Sequence, residues 1–322
     1  MKKPSKHLAL LGGGWLCLYA LFASYSVANE VLEQVLLDIQ QLSSEAKQGR
    51  ETGTEGAALT RDWLKQRFAE LDVASWQDSY AAPFRYRQGR HTKEGVNLQG
   101  WLPGCPDAPG YIVISAHYDH LGKRGRRIYP GANDNASGVA AMLALIRQLQ
   151  QLDAPCRAYH YILLATDAEE NGLHGSAAFV RQPPVALEQI VLNINLDMLA
   201  RSEPRGQLFI TGARRVPGLR THLQQHQGEL RLVFLTDRGP LQAGSLQPLY
   251  DWRNSSDHAY FHRAGIPYLF FGGMPFTDYH SPNDQWQRID AEFLNQVMTI
   301  IGQTILWLEN ETDVLGLSSD SN

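Results

Sequence analysis

Four short apolar runs constrain this chain more than any other feature: Tyr111 to Ser115, Tyr159 to Ala165, Ile190 to Leu196 and Ile266 to Phe271. Each is rich in aliphatic and aromatic residues, too short for a buried helix, and mostly free of polar alternation. That pattern belongs to strands covered on both faces. Between the first two runs, Val139, Met142, Leu143, Ile146 and Leu149 mark one face of a helix from Ala136 to Leu152. Strand, helix and strand in succession predict a mostly parallel central sheet between helices, a three-layer α/β/α sandwich.

Two amphipathic helices precede this core, one carrying Leu32, Val35, Leu36, Ile39 and Leu42, the other Trp63, Leu64, Phe68 and Leu71. Ile289 to Leu308 reads as a closing helix, and Arg201 to Asn254, with weaker patterning and scattered Gly and Pro, as an excursion from the same domain. The expected organisation is one domain over residues 29–310 and a mobile polar tail over residues 311–322. With 322 residues, 43% of them hydrophobic, the chain can bury an ample core without disulfide staples.

Residues 1–28 differ in kind. Lys2, Lys3 and Lys6 precede an apolar run from Leu8 to Ala23, and Ser26 and Ala28 offer small residues for a cut before Asn29. This is the pattern of a secretory signal peptide, and it predicts export to the periplasm or the medium. The competing reading is an uncleaved anchor, which would attach the protein to a membrane. Leu16 is too bulky for a typical lipoprotein cleavage box ahead of Cys17. The 33 acidic residues outnumber 29 Lys and Arg, and cleavage removes further lysines, so the charge argues against nucleic acid as a partner.

The residues able to do chemistry sit just beyond each apolar run. His117-Tyr118-Asp119 comes after the first, Glu169-Glu170 after the second, Asp197 after the third, and Tyr279-His280 after the fourth. Ligands of open α/β sheets bind beyond the carboxyl ends of the strands, so the fold gathers these residues on one rim, with Asp134 ahead of the next helix. Two histidines and three carboxylates suit a pair of divalent ions roughly 3.5 to 4 Å apart sharing one carboxylate. Three carboxylates and a hydroxide neutralise two such ions, avoiding a buried net charge. A further carboxylate is then free to move protons.

At these residues the chain resembles the secreted co-catalytic di-zinc aminopeptidases, such as bacterial leucyl aminopeptidase and aminopeptidase S, which are related to glutamate carboxypeptidase II. The matching segments run from Gly49-Arg50-Glu51-Thr52-Gly53-Thr54 through Ala116-His117-Tyr118-Asp119-His120, Gly131 to Gly138, Glu169-Glu170-Asn171-Gly172, Asn195-Leu196-Asp197-Met198 and Ser256-Asp257-His258 to Tyr279-His280-Ser281. The resemblance implies that His117 and Asp197 hold one zinc, Glu170 and His280 the other, and that Asp134 bridges them. It implies that Glu169 is the general base and that Asp119 accepts a hydrogen bond from His117, fixing its tautomer. Two Zn²⁺ per chain are implied, with Co or Mn as possible substitutes for N/O ligands. The substrates would be peptides with a free amino terminus; nothing in the sequence indicates the oligomeric state.

Two rival functions stand beside this one: a single-zinc glutaminyl cyclase on the same scaffold, and a non-catalytic binding ectodomain. His120, His160, His174, His258 and His262 have ordinary core or surface readings, with His258 expected nearest the site. The cluster Lys123, Arg124, Arg126 and Arg127 reads as a solvated loop near the rim. Tyr268, Phe270, Phe271, Phe276 and Tyr279 are candidates for a side-chain pocket, with core packing the stronger reading for the first three. Cys105 and Cys156 each precede a strand on the edge opposite the metals, which predicts a structural disulfide, with two separate thiols as the alternative.

Overall fold

A computed structural model describes residues 30–203, 205–236 and 251–315. The leader residues lie outside this set, and no helix among the described residues is long and apolar enough to cross a membrane. Residues 30–42 form α1, and Glu55–Glu70 form α2, whose first turn is capped by Thr54 accepting from the Ala57 N–H at 3.3 Å. Then come β1 (Ala74–Ser75), β2 (Ala81–Gln88), β3 (His91–Leu102), β4 (Tyr111–His117), the small pair β5 (Lys123–Arg124) and β6 (Arg127–Ile128), α3 (Ser137–Gln150) and β7 (His160–Thr166). The chain continues through α4 (His174–Arg181), β8 (Ile190–Asp197), β9 (Gln207–Thr211), α5 (Leu219–His226), β10 (Arg231–Phe234), α6 (His258–Arg263), β11 (Tyr268–Gly272) and α7 (Ala291–Asn310).

One sheet runs in the order β1, β3, β7, β4, β8, β11, β9, β10, with β2 hydrogen-bonded to β3. The central strands β7, β4, β8 and β11 are parallel to one another, and they are the four read from the apolar runs. Both faces of these strands are covered. In β4, Ile112 and Ile114 enter the large core beneath α1, α2, α3 and α7, whereas Val113 points into a second core with Phe179 and Phe261 from α4 and α6. Alternate residues of β7 do the same: Tyr161 and Leu163 on one side, Ile162 and Leu164 on the other. Burying each such aliphatic side chain contributes roughly 1.5 to 3 kcal/mol, so polar alternation would have cost the fold its second layer.

The flanks depart from the expectation. Of the stretch from Arg201 to Asn254, the described strands join the sheet rather than leave it: β9 pairs antiparallel with β11, and β10 extends the sheet beyond β9, while residues 237–250 lie outside the described set. On the other flank β3 runs antiparallel to β7, and only Leu98 to Leu102 are paired with it. The β2–β3 hairpin therefore projects past the carboxyl ends of the central strands. Of the expected tail, Thr312–Leu315 form a short 3-10 turn, with the Thr312 carbonyl accepting from the Tyr159 hydroxyl at 2.9 Å, and residues 316–322 lie outside the described set. Cys105 and Cys156 are joined in a disulfide, their Cα atoms 5.1 Å apart, on the edge where β4 and β7 begin.

Candidate metal centre

His117 is the last residue of β4 and Asp197 the last of β8, so strand pairing delivers both to the same rim. Glu169 and Glu170 occupy the turn between β7 and α4, Asp134 the loop entering α3, and His280 the segment after β11. Asp134 stands at the middle. His117 Nε2 lies 3.4 Å from Asp134 Oδ1 and 3.4 Å from Asp197 Oδ1. On the other side His280 Nε2 lies 3.2 Å from Asp134 Oδ2 and 3.2 Å from Glu170 Oε2. One carboxylate thus turns a different oxygen toward each of two histidines.

Reaching these positions takes an unusual backbone. Ala168, Met198 and His280 have φ of +57°, +58° and +53°, a region that costs a residue with a side chain unless its surroundings hold it there. The holding groups are buried. Arg50 donates from its guanidinium to the carbonyls of Leu42, Tyr118, Pro130 and Gly131, clamping the loops on either side of His117 and Asp134. Asp284 accepts from the Asn133 and Asp134 N–H groups at 2.9 and 3.0 Å. Asn135 Nδ2 donates to the Leu196 carbonyl at 2.8 Å, tying the Asp134 loop to the end of β8.

Asp119 serves a different partner from the one expected. His117 Nδ1 lies 3.1 Å from the Asp119 carbonyl oxygen and 3.9 Å from its carboxylate. That carboxylate accepts from the N–H groups of Glu169 and Glu170, at 3.1 and 3.3 Å, and so orients the turn carrying both glutamates. The carbonyl fixes the His117 ring instead, an equally effective way to set a tautomer.

Crowding of carboxylates governs the electrostatics. Burial, reinforced by Asp257, Asp197 and Glu170, pushes the Glu169 carboxyl well above its ordinary range. Burial alone would lower His117, but Glu169, Asp197 and Asp134 outweigh it and hold the imidazole well up. His280 is likewise raised, to about 10, burial being overcome by Asp134 and Glu170. For Asp134 burial works upward and the histidines win, keeping the carboxylate ionised. Asp284 is pushed up to about 6, chiefly by burial.

The donor set fits divalent cations. Asp134 Oδ2, Glu170 Oε1 and Asp197 Oδ1 are buried and make no hydrogen bond, an omission that folded proteins rarely tolerate without a ligand or water. His117, Asp134 and Asp197 offer one donor atom each within 4.8 Å of one another, and so do His120, Asp134 and Glu170. His120 is the member that sequence reasoning missed. Its only local signal is its place three residues beyond His117 in the same turn.

Other candidates fall away from the centre. His258 packs between the Tyr268 and Phe270 rings, at 4.7 and 4.8 Å, and its neighbour Asp257 lies closer to the chemistry, accepting from Thr166. Tyr268, Phe270 and Phe271 are core residues, and Phe276 is buried under Arg201. Tyr279 alone of the aromatic candidates presents surface, stacked on His280 at 3.8 Å. Lys123, Arg124 and Arg127 lie in the exposed β5–β6 hairpin, where Arg124 meets Glu51 at 3.3 Å.

Known proteins share both pattern and fold. The family model for peptidase family M28 matches residues 97–305. Aminopeptidase YwaD of Bacillus subtilis is 30% identical over 204 residues, covering 60% of this chain; the chain spans only 40% of that protein's length. A glutaminyl-peptide cyclotransferase of Drosophila melanogaster is 26% identical over 275 residues, covering 78% of this chain and 75% of that one. Among solved structures, BSAP, a zinc aminopeptidase from Bacillus subtilis, superimposes with a TM-score of 0.64 at 18% identity, over 86% of this chain and 94% of that one. With the family model spanning every strand-end segment of the rim and the solved relative sharing the sandwich, this chain belongs to peptidase family M28.

Proposed function

We propose that the protein is an exported aminopeptidase working with two divalent metal ions, zinc in the first instance. The observation that carries this reading is Asp134, whose two carboxylate oxygens face His117 with Asp197 on one side and His280 with Glu170 on the other. His117 and Asp197 would hold one ion, Glu170 and His280 the other, and Asp134 both. When bound, such a pair polarises the scissile carbonyl and acidifies water. Glu169, its carboxyl raised above its ordinary range by burial and neighbouring carboxylates, accepts the proton of the attacking water and passes it to the departing amine. Asp119 keeps Glu169 aimed through the Glu169 N–H.

Removal of metal should abolish hydrolysis of aminoacyl amides, and Zn²⁺ should restore it. Full turnover by protein verified as metal-free would sink the mechanism. The cyclotransferase match supports a second reading, a single-ion enzyme closing amino-terminal glutamine. One bound ion together with cyclised product from glutaminyl peptides would select it, whereas two ions and a released amino acid select the peptidase. The leader pattern of residues 1–28 supports export, and mass spectrometry of protein from the medium or periplasm should find Asn29 first.

A further inference from the structure

We propose that His120 is an additional ligand of the centre, on the side that carries Glu170 and His280. The inference rests on the two-ion reading above and concerns a residue that reading leaves idle. The His120 ring is 1% exposed, yet neither nitrogen makes a hydrogen bond. Nδ1 stands 2.7 Å from Glu170 Oε1 and 3.8 Å from Asp134 Oδ2, two oxygens that are themselves buried without hydrogen bonds. A nitrogen and an oxygen this close without bonding lie off the N–H axis. Donors converging on a shared cation take that arrangement.

The ring is also held in place. Gly131, at φ +60°, faces it, and a Cβ there would sit 2.6 Å from His120 Cγ and Cδ2. Only glycine leaves room for the imidazole beside the Asp134 loop. The Arg50 guanidinium, donating to the Gly131 carbonyl at 2.8 Å, fixes that wall from behind.

Adding His120 makes the two halves unequal. One offers a single imidazole, His117, with Asp197 and Asp134 Oδ1; the other offers two, His120 and His280, with Glu170 and Asp134 Oδ2. Imidazole suits Zn, Cu and Ni, while carboxylate oxygen suits Mn and Mg. The His120 half therefore binds zinc first and more tightly, and the His117 half exchanges its ion more readily.

Calorimetric titration of metal-stripped protein with Zn²⁺ tests this. The unsubstituted protein should take up two ions in unequal steps. His120→Ala and His120→Gln should weaken the tighter step by more than the ~10- to 100-fold that loss of an outer hydrogen-bonding partner typically costs. Two ions with both steps unchanged in the variants would overturn the His120 assignment and leave the two-ion reading standing. Fewer than two ions in the unsubstituted protein would overturn both. X-ray absorption of the unsubstituted protein carrying one equivalent of zinc needs no variant to fold: two imidazoles per zinc are expected, and a single one would refute the assignment.

Discussion

The two ends of the same parallel strands are built on opposite terms. At their carboxyl ends, buried oxygens lack hydrogen bonds, like charges crowd together, and side-chain-bearing residues adopt positive φ. At their amino ends the chain is fastened: Cys105 is bridged to Cys156, the Cys105 N–H donates to the Arg157 carbonyl at 2.8 Å, and the Gly104 N–H donates to His160 Nδ1 at 2.8 Å. The difference teaches where each kind of cost is carried. Strain and repulsion gather where ions and substrate can relieve them, and the stability that tolerates them is supplied by the core and the far edge.

Substitutions on the two edges should separate these roles. The largest effect is expected from Asp134→Ala, which removes a donor from both halves; metal analysis should find both ions depleted, and two ions bound normally would dissolve the bridging assignment. Glu169→Gln comes next, with fold and metal retained and turnover lower by ~10²- to 10⁴-fold, the usual worth of general acid-base help. Near-normal turnover would take the proton-moving role from Glu169. On the far edge, Cys105→Ser with Cys156→Ser should lower unfolding free energy by roughly 4 kcal/mol in the chain-entropy model and leave metal affinity intact. A change in metal affinity there would show that the edges are coupled.

The smallest and most diagnostic effect is the pH dependence of metal uptake. His117 and His280 are raised above the ordinary 6.5 in the ion-free chain, so near neutrality both carry a proton that coordination must displace. Affinity should rise with pH until His280 titrates near 10, and calorimetry in buffers of differing ionisation enthalpy should register released protons. Stability of the ion-free protein moves the other way. The contribution of protonated His280 is complete below about 6.5 and is lost as pH climbs through about 10.

Much of this is legible in the residues because burial on two faces leaves an unbroken apolar run. β4, β7, β8 and β11 announce themselves, and the polar residues that end each run mark the rim. β2 and the first half of β3 do not, since Arg85, Arg87, Lys93 and Glu94 are exposed and the pairing is held by backbone hydrogen bonds. β9 and β10 are short, and their burial depends on α5 and α7 packing over them, a tertiary condition. Arg50 lies within a matching segment, but its task depends on carbonyls up to 81 residues away. His120 looks ordinary because a lone histidine is recognised as a donor only when its neighbours in space are known.

The Arg50 clamp sets how the centre meets its ions. Its guanidinium gathers carbonyls from three separate stretches of chain, around Leu42, Tyr118 and Pro130–Gly131, through hydrogen bonds of its own. The coordination frame is thus preorganised by folding itself. Loading then requires desolvating an incoming ion rather than ordering loops, which favours tight binding. Stripping the ions should leave a folded, reloadable shell, in contrast to small zinc domains that lose their structure with their metal.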